Sequence, residues 1–315
     1  MTISVFIDGG HGTTGLQIRD RLADRPEIAL IALDDDRRKD ADARLEALQG
    51  ADIAILCLPD DAARAAVAML DGADTRIIDA STAHRIAPDW TYGFPEWKLG
   101  HRETIASSRY VANPGCYAQT FIALTHPLVS AGILPRDAAV TVNAASGYSG
   151  GGRTMIEEFE SGAAATAFRN YALSLRHKHL PEMRQHSGLD SPPLFSPSVA
   201  NLHSGMLVEI PLPPALLREG TKPADIRSAL QDHYADGRLV TVLDETETAA
   251  LDMVMIERCA GTDRMEIMVF ANPESGYVRL CAVLDNLGKG AAGAAVQNLN
   301  LMAGFAEYSG LRYYP

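Results

Sequence analysis

The 315-residue sequence has few cysteines, few aromatic residues and no long hydrophobic run, and each shortage excludes a class of protein. Its four cysteines, at positions 57, 116, 259 and 281, are widely spaced, which argues against a disulfide framework or a metal cluster. No run of about 18 apolar residues occurs, so no membrane partner is expected. The sequence begins on a short strand-like pattern without a basic leader, which favours a cytoplasmic protein with reduced thiols.

Positive charge is also in short supply. The sequence holds 28 Lys and Arg residues against 40 Asp and Glu, a net charge of −12, which argues against nucleic acid or an anionic membrane as the main partner. With 47% hydrophobic and 22% charged residues, the chain has the composition of a folded globular protein long enough for two domains. Any bound phosphate must therefore be held locally, by loop amides and a few Arg or Lys side chains.

The first residues predict a dinucleotide-binding site. A strand pattern at 3–8 is followed by Gly9-Gly-His-Gly-Thr-Thr-Gly15 and then by a helix pattern. This is G-x-G-x-x-G between a strand and a helix, where glycines admit the pyrophosphate and the helix start faces it. A purely structural glycine turn is the alternative, and the flanking strand and helix make it the weaker one. We expect the cofactor to contact Gly10, Gly12, Thr13, Thr14 and Gly15.

Further apolar runs at 28–33, 53–59, 76–79 and 109–113, with helical segments between them, predict a doubly wound parallel sheet. Ligands bind at the carboxyl ends of such strands, so the loops near residues 10, 34, 59, 81 and 116 are expected to converge on one crevice.

The second run leads into Asp34-Asp-Asp-Arg-Arg38. An acidic residue there would hold a ribose hydroxyl, and an arginine would hold a 2′-phosphate. Arg37 and Arg38 favour NADP.

Beyond residue 116 the pattern changes. Alternating runs at 140–145, 206–211, 239–243, 265–272 and 277–284 predict a mixed or antiparallel sheet in a second domain. The small-residue stretch 288–302 predicts a closely packed helix that returns to the first domain, and the Pro/Ser-rich stretch 187–197 predicts a loop. The predicted fold is α/β: a Rossmann-type NADP-binding domain over 1–116 and 286–315, and an α+β catalytic and oligomerisation domain over 117–285.

Cys116 is the candidate nucleophile. It follows the tight-turn sequence Asn113-Pro-Gly and precedes Phe121, Leu124 and Leu128 at helical spacing. Unpaired amides and the dipole at a helix start favour thiolate over thiol. A buried structural cysteine is the alternative, and the turn and the nearby histidine strip favour the nucleophile.

The strip 171–182 carries His177, His179 and Glu182. If this strip is extended, the two imidazoles point to the same side, and either could act as general acid or base. Pro181 is expected to end any regular element there. Because Glu182 could orient His179 and raise its pKa, His179 is the first choice and His177 the second. Two histidines could also bind zinc, but the sequence offers no further ligands, and surface histidines without a role are the other alternative.

Two hydroxyl-rich stretches, 79–85 and 144–153, each end in arginine. Such loops suit oxyanions, which arginine binds in bidentate fashion. For each one alone, a turn with a solvated arginine is the alternative. We expect Ser81 to contact the cofactor, and we expect the substrate to contact Arg85, Ser146, Arg153 and Glu182.

Four motifs together resemble the N-acetyl-gamma-glutamyl-phosphate reductase family of arginine biosynthesis, in its shorter form. They are Asn113-Pro-Gly-Cys-Tyr117, His177-Lys-His-Leu-Pro-Glu182, Tyr92-Gly-Phe-Pro-Glu96 and the stretch 285–298. The resemblance implies NADPH-dependent reduction of a small acyl phosphate to N-acetyl-glutamate 5-semialdehyde, with release of inorganic phosphate. It also implies Cys116 as nucleophile, a histidine of the pair as acid/base and a homodimer or homotetramer built through the second domain. Asn286, in the last motif, is expected to contact the cofactor.

Some positions depart from that family. Ala118-Gln119-Thr120 follow the Cys-Tyr pair, where Pro and Thr are common in the family, which leaves details of cofactor contact open. Aspartate-semialdehyde dehydrogenase shares the architecture and the cysteine chemistry, but its cysteine typically follows Asn rather than Gly. A reductase of N-acetyl-aminoadipyl phosphate is a nearer alternative. A non-catalytic NADP-binding regulator would keep the glycine loop but would not need Cys116.

Overall fold

The computed structural model describes residues 2–34, 36–38, 40–70 and 72–313. It divides into two compact units. The first comprises the described parts of Met1–Pro95, Leu99–Gly115 and Ala291–Leu311, and the second those of Glu96–Lys98, Cys116–Gly290 and Arg312–Pro315. None of the described helices combines the length and the apolarity that a membrane span needs.

A six-stranded sheet organises the first unit. Its order is β2-β1-β3-β4-β6-β5 and every pair is parallel. The strands are β1 Ile3–Asp8, β2 Ile28–Ile31, β3 Ile53–Leu56, β4 Arg76–Asp79, β5 Thr91–Tyr92 and β6 Tyr110–Ala112. The helices are α1 Thr13–Leu22, α2 Ala41–Gln49, α3 Asp60–Met69, α4 His101–Ser107 and α10 Gly293–Ala303.

The sequence of β3 explains the parallel sheet. All four of its residues, Ile-Ala-Ile-Leu, are buried, as expected for a strand covered on both faces. The order places β1 between β2 and β3. After β2 is added on one side of β1, the later strands are added on the other side, and doubly wound folds bind their ligands at this point of the sheet. The predicted Rossmann-type sheet is confirmed.

A mixed seven-stranded sheet organises the second unit, in the order β11-β12-β13-β10-β7-β9-β8. Its strands are β7 Thr141–Gly147, β8 Phe168–Asn170, β9 Leu194–Ala200, β10 Met206–Leu212, β11 Val240–Val242, β12 Met265–Ala271 and β13 Val278–Leu284. The β7–β9 and β11–β12 pairs are parallel and the others antiparallel, which confirms the predicted mixed sheet. The helices are α5 Cys116–Ser130, α6 Gly152–Glu160, α7 Leu180–Ser187, α8 Pro223–Tyr234 and α9 Glu245–Ala249.

Helix α5 is buried on all sides over residues 117–125, including the polar Gln119, Thr120 and Thr125. A helix that is buried all round belongs to the interior, so α5 gives Cys116 a fixed base. It packs against α7 and α8 and against β10 and β13.

Several sequence expectations were wrong. Pro181 does not end an element but lies in the first turn of α7, where its missing N–H costs no hydrogen bond. The strip around His177 is a turn rather than extended chain, and 187–197 runs into strand β9, whose Pro197 carbonyl accepts from the Tyr171 N–H. The supposed loop 144–153 consists of the end of β7, a 3₁₀ turn and the start of α6.

Candidate functional site

The glycine loop connects β1 to α1. Helix α1 starts at Thr13, and its N-cap Gly12 offers no side-chain cap, so the first-turn N–H groups of Thr13, Thr14 and Gly15 have no intrahelical acceptor. A Cβ at Gly15 would lie 2.6 Å from the carbonyl oxygen of Gly9 and 2.7 Å from the Cα of Gly10. The loop is therefore folded tightly onto the helix start, and its uncapped amides fit a dinucleotide pyrophosphate.

Neighbouring loops at the carboxyl edge of the first sheet contact one another. After β4, the Ser81 hydroxyl donates to Asp79 Oδ2 at 2.7 Å, and His84 Nδ1 lies 2.6 Å from the same oxygen. The Arg85 Nε donates to the carbonyl of Asn113 at 2.9 Å, which connects this loop to the one after β6. Ser81 and Arg85 thus lie at the edge where a ligand is expected, with Arg85 bracing the turn that leads to Cys116.

The segment after β2 holds the predicted ribose and phosphate contacts. Asp34 accepts the backbone N–H groups of Arg37 and Arg38 in a turn, at 2.9 and 3.0 Å. The Arg37 guanidinium is 55% exposed and lies 3.8 Å from Glu46, so a weak surface ion pair competes for it within the described part of the chain. Asp35, in the middle of the predicted acidic run, lies outside the described residues.

Cys116 is the first residue of α5, as the sequence predicts, and it is partly exposed. Its carbonyl accepts from the Thr120 hydroxyl at 2.8 Å, which fixes the first turn. A Cβ at Gly290 would lie 2.9 Å from the Cβ of Cys116, so this glycine is in direct backbone contact with the base of the side chain. The thiol is held at a helix start, next to amides that can stabilise negative charge.

The two histidines lie together around Tyr117, the residue after the cysteine. Their ring centroids are 4.8 Å apart, and the Tyr117 ring lies 6.1 Å from His177 and 6.2 Å from His179. His177 Nδ1 accepts the backbone N–H of His179 at 3.1 Å, so a neutral His177 carries its proton on Nε2. Burial, with the positive charge of Lys178, lowers the pKa of His177 to about 4, so this ring is neutral near pH 7.

Two tyrosines complete this cluster, and the sequence argument did not select them. Burial raises the pKa of Tyr117 well above its ordinary value and that of Tyr171 to about 12, with the Cys116 charge contributing to both shifts. The Tyr117 hydroxyl donates to the carbonyl of Ser198 at 3.1 Å, and the nearby Tyr171 adds to the rise in the pKa of Tyr117. Both phenols therefore stay neutral beside the thiol. Their positions in the sequence could have identified them, because Tyr117 follows Cys116 directly and Tyr171 begins the strip that carries the two histidines.

Four other predicted residues belong to the second unit. Ser146 is buried at the end of β7, and buried Asn286 accepts from the Gly205 N–H and donates to Ser149 Oγ, both at 2.9 Å. Glu182 is 1% exposed in the first turn of α7. The Arg153 side chain is 83% exposed and pairs with Glu157 one turn along α6 at 2.7 Å. The structure thus buries Ser146, Asn286 and Glu182 but leaves Arg153 at the surface.

The comparisons with known proteins agree with this geometry. Residues 4–108 match the NAD binding domain of semialdehyde dehydrogenase, and residues 116–286 match the dimerisation domain of the same enzymes. The chain therefore belongs to the semialdehyde dehydrogenase family, whose second domain serves oligomerisation.

Two curated relatives, each about half identical to this chain, have the same name. Proteins of Brucella ovis and Brucella anthropi, 51% and 52% identical over 310 residues, are called N-acetyl-gamma-glutamyl-phosphate reductase. The match covers 96% of this chain and 100% and 99% of the relatives. The predicted family resemblance is confirmed.

Solved structures with the same fold are more distant in sequence. Aspartate semialdehyde dehydrogenase II of Vibrio cholerae superposes with a TM-score of 0.74 at 17% identity, over 96% of this chain and 99% of that one. The Candida albicans aspartate semialdehyde dehydrogenase, solved with NADP, gives a TM-score of 0.64 at 12% identity over the same shares. At these identities the likeness defines the fold.

Proposed function

We propose that this chain is an N-acetyl-gamma-glutamyl-phosphate reductase that converts N-acetyl-gamma-glutamyl phosphate to N-acetyl-glutamate 5-semialdehyde and inorganic phosphate, using NADPH. The observation that carries the proposal is Cys116 at the first turn of α5 with His177 and His179 around the adjacent Tyr117. Relatives about half identical over nearly the whole chain bear this name.

The first step uses the thiolate of Cys116. Its sulfur attacks the acyl carbon, the bond between that carbon and the phosphate oxygen breaks, and phosphate leaves with the electron pair. The product is a thioester on Cys116. First-turn amides of α5 are suitable donors for the oxyanion of the tetrahedral intermediate, and the neutral phenols of Tyr117 and Tyr171 add polar groups without adding charge.

The second step reduces the thioester. NADPH, when bound, supplies the hydride that adds to the thioester carbon. The resulting thiohemiacetal on Cys116 then collapses, breaking the carbon–sulfur bond to give aldehyde and thiolate. We assign His179 to the proton transfers at the oxyanion and the sulfur, and His177, held neutral with its proton on Nε2, to contact with the substrate.

The first unit is proposed to hold NADP. The amides of Thr13, Thr14 and Gly15 would bind the pyrophosphate with Gly10 and Gly12 giving access, and this loop fits the group because it leaves those amides uncapped. Arg37 and Arg38 would bind the 2′-phosphate, and Ser81 and Asn286 would complete the cofactor contacts.

The second unit is proposed to be the catalytic and oligomerisation domain. The substrate contacts assigned to this unit are Ser146, Arg153 and Glu182, and Arg85 of the first unit is a further proposed substrate contact. Because Arg153 is 83% exposed and pairs with Glu157 at the surface, its guanidinium is available to a carboxylate at little cost. A homodimer or homotetramer is proposed from the match to a dimerisation domain, and a cytoplasmic location from the reduced thiol that the chemistry requires.

The reverse reaction tests the proposal. Purified protein is supplied with NADP, phosphate and one of three aldehydes: N-acetyl-glutamate semialdehyde, N-acetyl-aminoadipate semialdehyde or aspartate semialdehyde. We expect phosphate-dependent reduction of NADP, with kcat/KM for the first aldehyde at least about tenfold above that for the others. A preference for either other aldehyde would reassign the substrate. No NADP reduction with any of them, together with tight NADP binding, would instead indicate a regulator.

A further inference from the structure

The motifs 92–96 and 285–298 meet in a buried ion pair. Lys289 Nζ lies 2.9 Å from both carboxylate oxygens of Glu96. The side chains of Lys289 and Glu96 are 0% and 2% exposed. Removing both charges from water is costly, and such pairs often stabilise a fold no better than apolar residues of similar size. Stability alone therefore does not explain this pair.

Glu96 belongs to a rigid anchor. Its backbone carbonyl accepts from His233 Nε2 of α8 at 3.0 Å, and the next residue, Trp97, donates its indole N–H to the carbonyl of His186 in α7 at 2.8 Å. A Cβ at Gly237 would lie 3.9 Å from Glu96 Cγ. The carboxylate is thus presented from a fixed point on helices that pack against α5.

Lys289 lies in a π-helical turn, Gly288–Ala292. The N–H of Gly290 donates to the carbonyl of Asp285 at 3.0 Å, five residues back, and Asp285 Oδ1 accepts from the N–H of Leu287 at 2.8 Å. Such turns are rare and concentrate at functional sites.

This turn packs directly against the nucleophile. A Cβ at Gly290 would lie 2.9 Å from the Cβ of Cys116 and 3.1 Å from the carbonyl oxygen of Asp285. Because no gap separates the turn from Cys116, a displacement of the turn displaces the cysteine. Lys289 precedes Gly290 directly, so its ion pair with Glu96 fixes how closely the turn approaches Cys116.

We propose that Lys289 and Glu96 are positioning residues for Cys116: their ion pair holds the π-helical turn whose Gly290 fixes the cysteine side chain at the start of α5. The role of Cys116 as nucleophile rests on the proposed function, whereas the contact that positions it does not.

The test compares Glu96→Gln, Lys289→Met and the double variant. Each single change leaves a buried charge without its counter-charge and should lower the melting temperature, whereas the double variant, which buries no charge at these two positions, should recover part of the loss. Its kcat should nevertheless stay at least about tenfold below wild type, with KM within about twofold. The rate at which iodoacetamide alkylates Cys116 is measured from about pH 6 to 9 on the peptide that contains this cysteine. In the double variant this rate should differ from the wild-type rate by at least about threefold.

Glu266→Gln is the matched control. It breaks the contacts of another buried carboxylate with Arg258 and Arg264, and should lower the melting temperature while leaving kcat and the alkylation rate at wild-type values. A double variant with wild-type kcat and alkylation would overturn the proposal. If the double variant does not fold, Glu96→Asp, which keeps the charge but shortens its reach, decides by the same two readouts. If wild type reduces NADP with none of the three aldehydes but the alkylation change persists, the proposed function fails and the positioning role stands.

Discussion

His177 Nδ1 accepts the backbone N–H of His179 at 3.1 Å, so one histidine of the pair fixes the main chain of the other. In the proposed mechanism, this bond leaves the Nε2 proton of His177 for a substrate oxygen and leaves the His179 ring for proton transfer. We expect His179→Asn to lower kcat by about two to four orders of magnitude and His177→Asn mainly to raise KM. Steady-state kinetics of the two variants measure this. If His179→Asn changes only KM, the roles are reversed.

Cys116→Ser should abolish reductase activity while NADPH still binds, because a hydroxyl is a far poorer nucleophile than a thiolate. Turnover should fall below about 1% of wild type. NADPH binding, measured by fluorescence titration, is the internal control for folding. Residual turnover of more than a few per cent would contradict the thioester route.

Replacing both Arg37 and Arg38 with alanine should reduce the preference for NADPH over NADH at least about tenfold, because the 2′-phosphate loses its positive partners. The ratio of kcat/KM values with the two cofactors measures the effect. Arg19→Ala, at an exposed position in the last turn of α1, controls for the loss of charge and should leave the ratio unchanged. An unchanged ratio in the double variant would assign cofactor choice to the acidic run beginning at Asp34.

Stability should fall as pH decreases from about 6.5 towards 4, partly because of His126. Burial, followed by the nearby His233, lowers the pKa of His126 to about 4, so the folded protein binds fewer protons than the unfolded chain in this window. His126→Phe keeps a ring against Trp97 but removes the titrating group. The slope of the unfolding free energy against pH should then decrease by an amount that corresponds to less than about one bound proton. Urea unfolding across this range measures the slope, and equal slopes would show that His126 does not contribute.

Gln119→Met should stabilise the protein by about 1 kcal/mol, since Gln119 is fully buried and neither atom of its carboxamide has a hydrogen-bond partner among the described residues. Gln297→Met is the matched control. Gln297 is equally buried but donates to Glu307 at 2.8 Å, so its replacement should destabilise by about 1–3 kcal/mol. Urea unfolding at pH 7 compares them. A loss of stability in Gln119→Met would indicate that a buried water satisfies the carboxamide.

Local patterns predicted the first unit well because a buried parallel strand is a short apolar run and a glycine loop marks its turn, as at β3 and Gly15. The start of α5 at Cys116 followed from the turn before it and the helical spacing after it. Pro181 misled the sequence argument because proline both ends helices and opens them, and only the chain after it decides which. β9 was missed because Pro197 and its serines resemble a loop until β7 and β8 pair with it.

Contacts between residues distant in sequence could not be predicted in the same way. The proximity of Tyr171 to Tyr117 depends on β8 and β9, since Tyr171 follows β8 and the Tyr117 hydroxyl donates to Ser198 of β9. The Lys289–Glu96 pair likewise joins positions 193 residues apart. Nothing in the local pattern around Lys289 distinguishes a buried ammonium from a surface one.

The interleaving of the two units along the chain governs the order in which the protein can be completed during synthesis. Helix α10 belongs to the first unit, and its Asn298 donates to the Gly93 carbonyl at 2.8 Å and to Asn113 Oδ1 at 3.1 Å. A nascent chain that has left the ribosome up to residue 290 still lacks this helix, so the amino-terminal sheet stays partly uncovered until the residues beyond 290 have been translated. Apolar surface that is exposed during that interval favours aggregation, which is the hazard that chaperones counter.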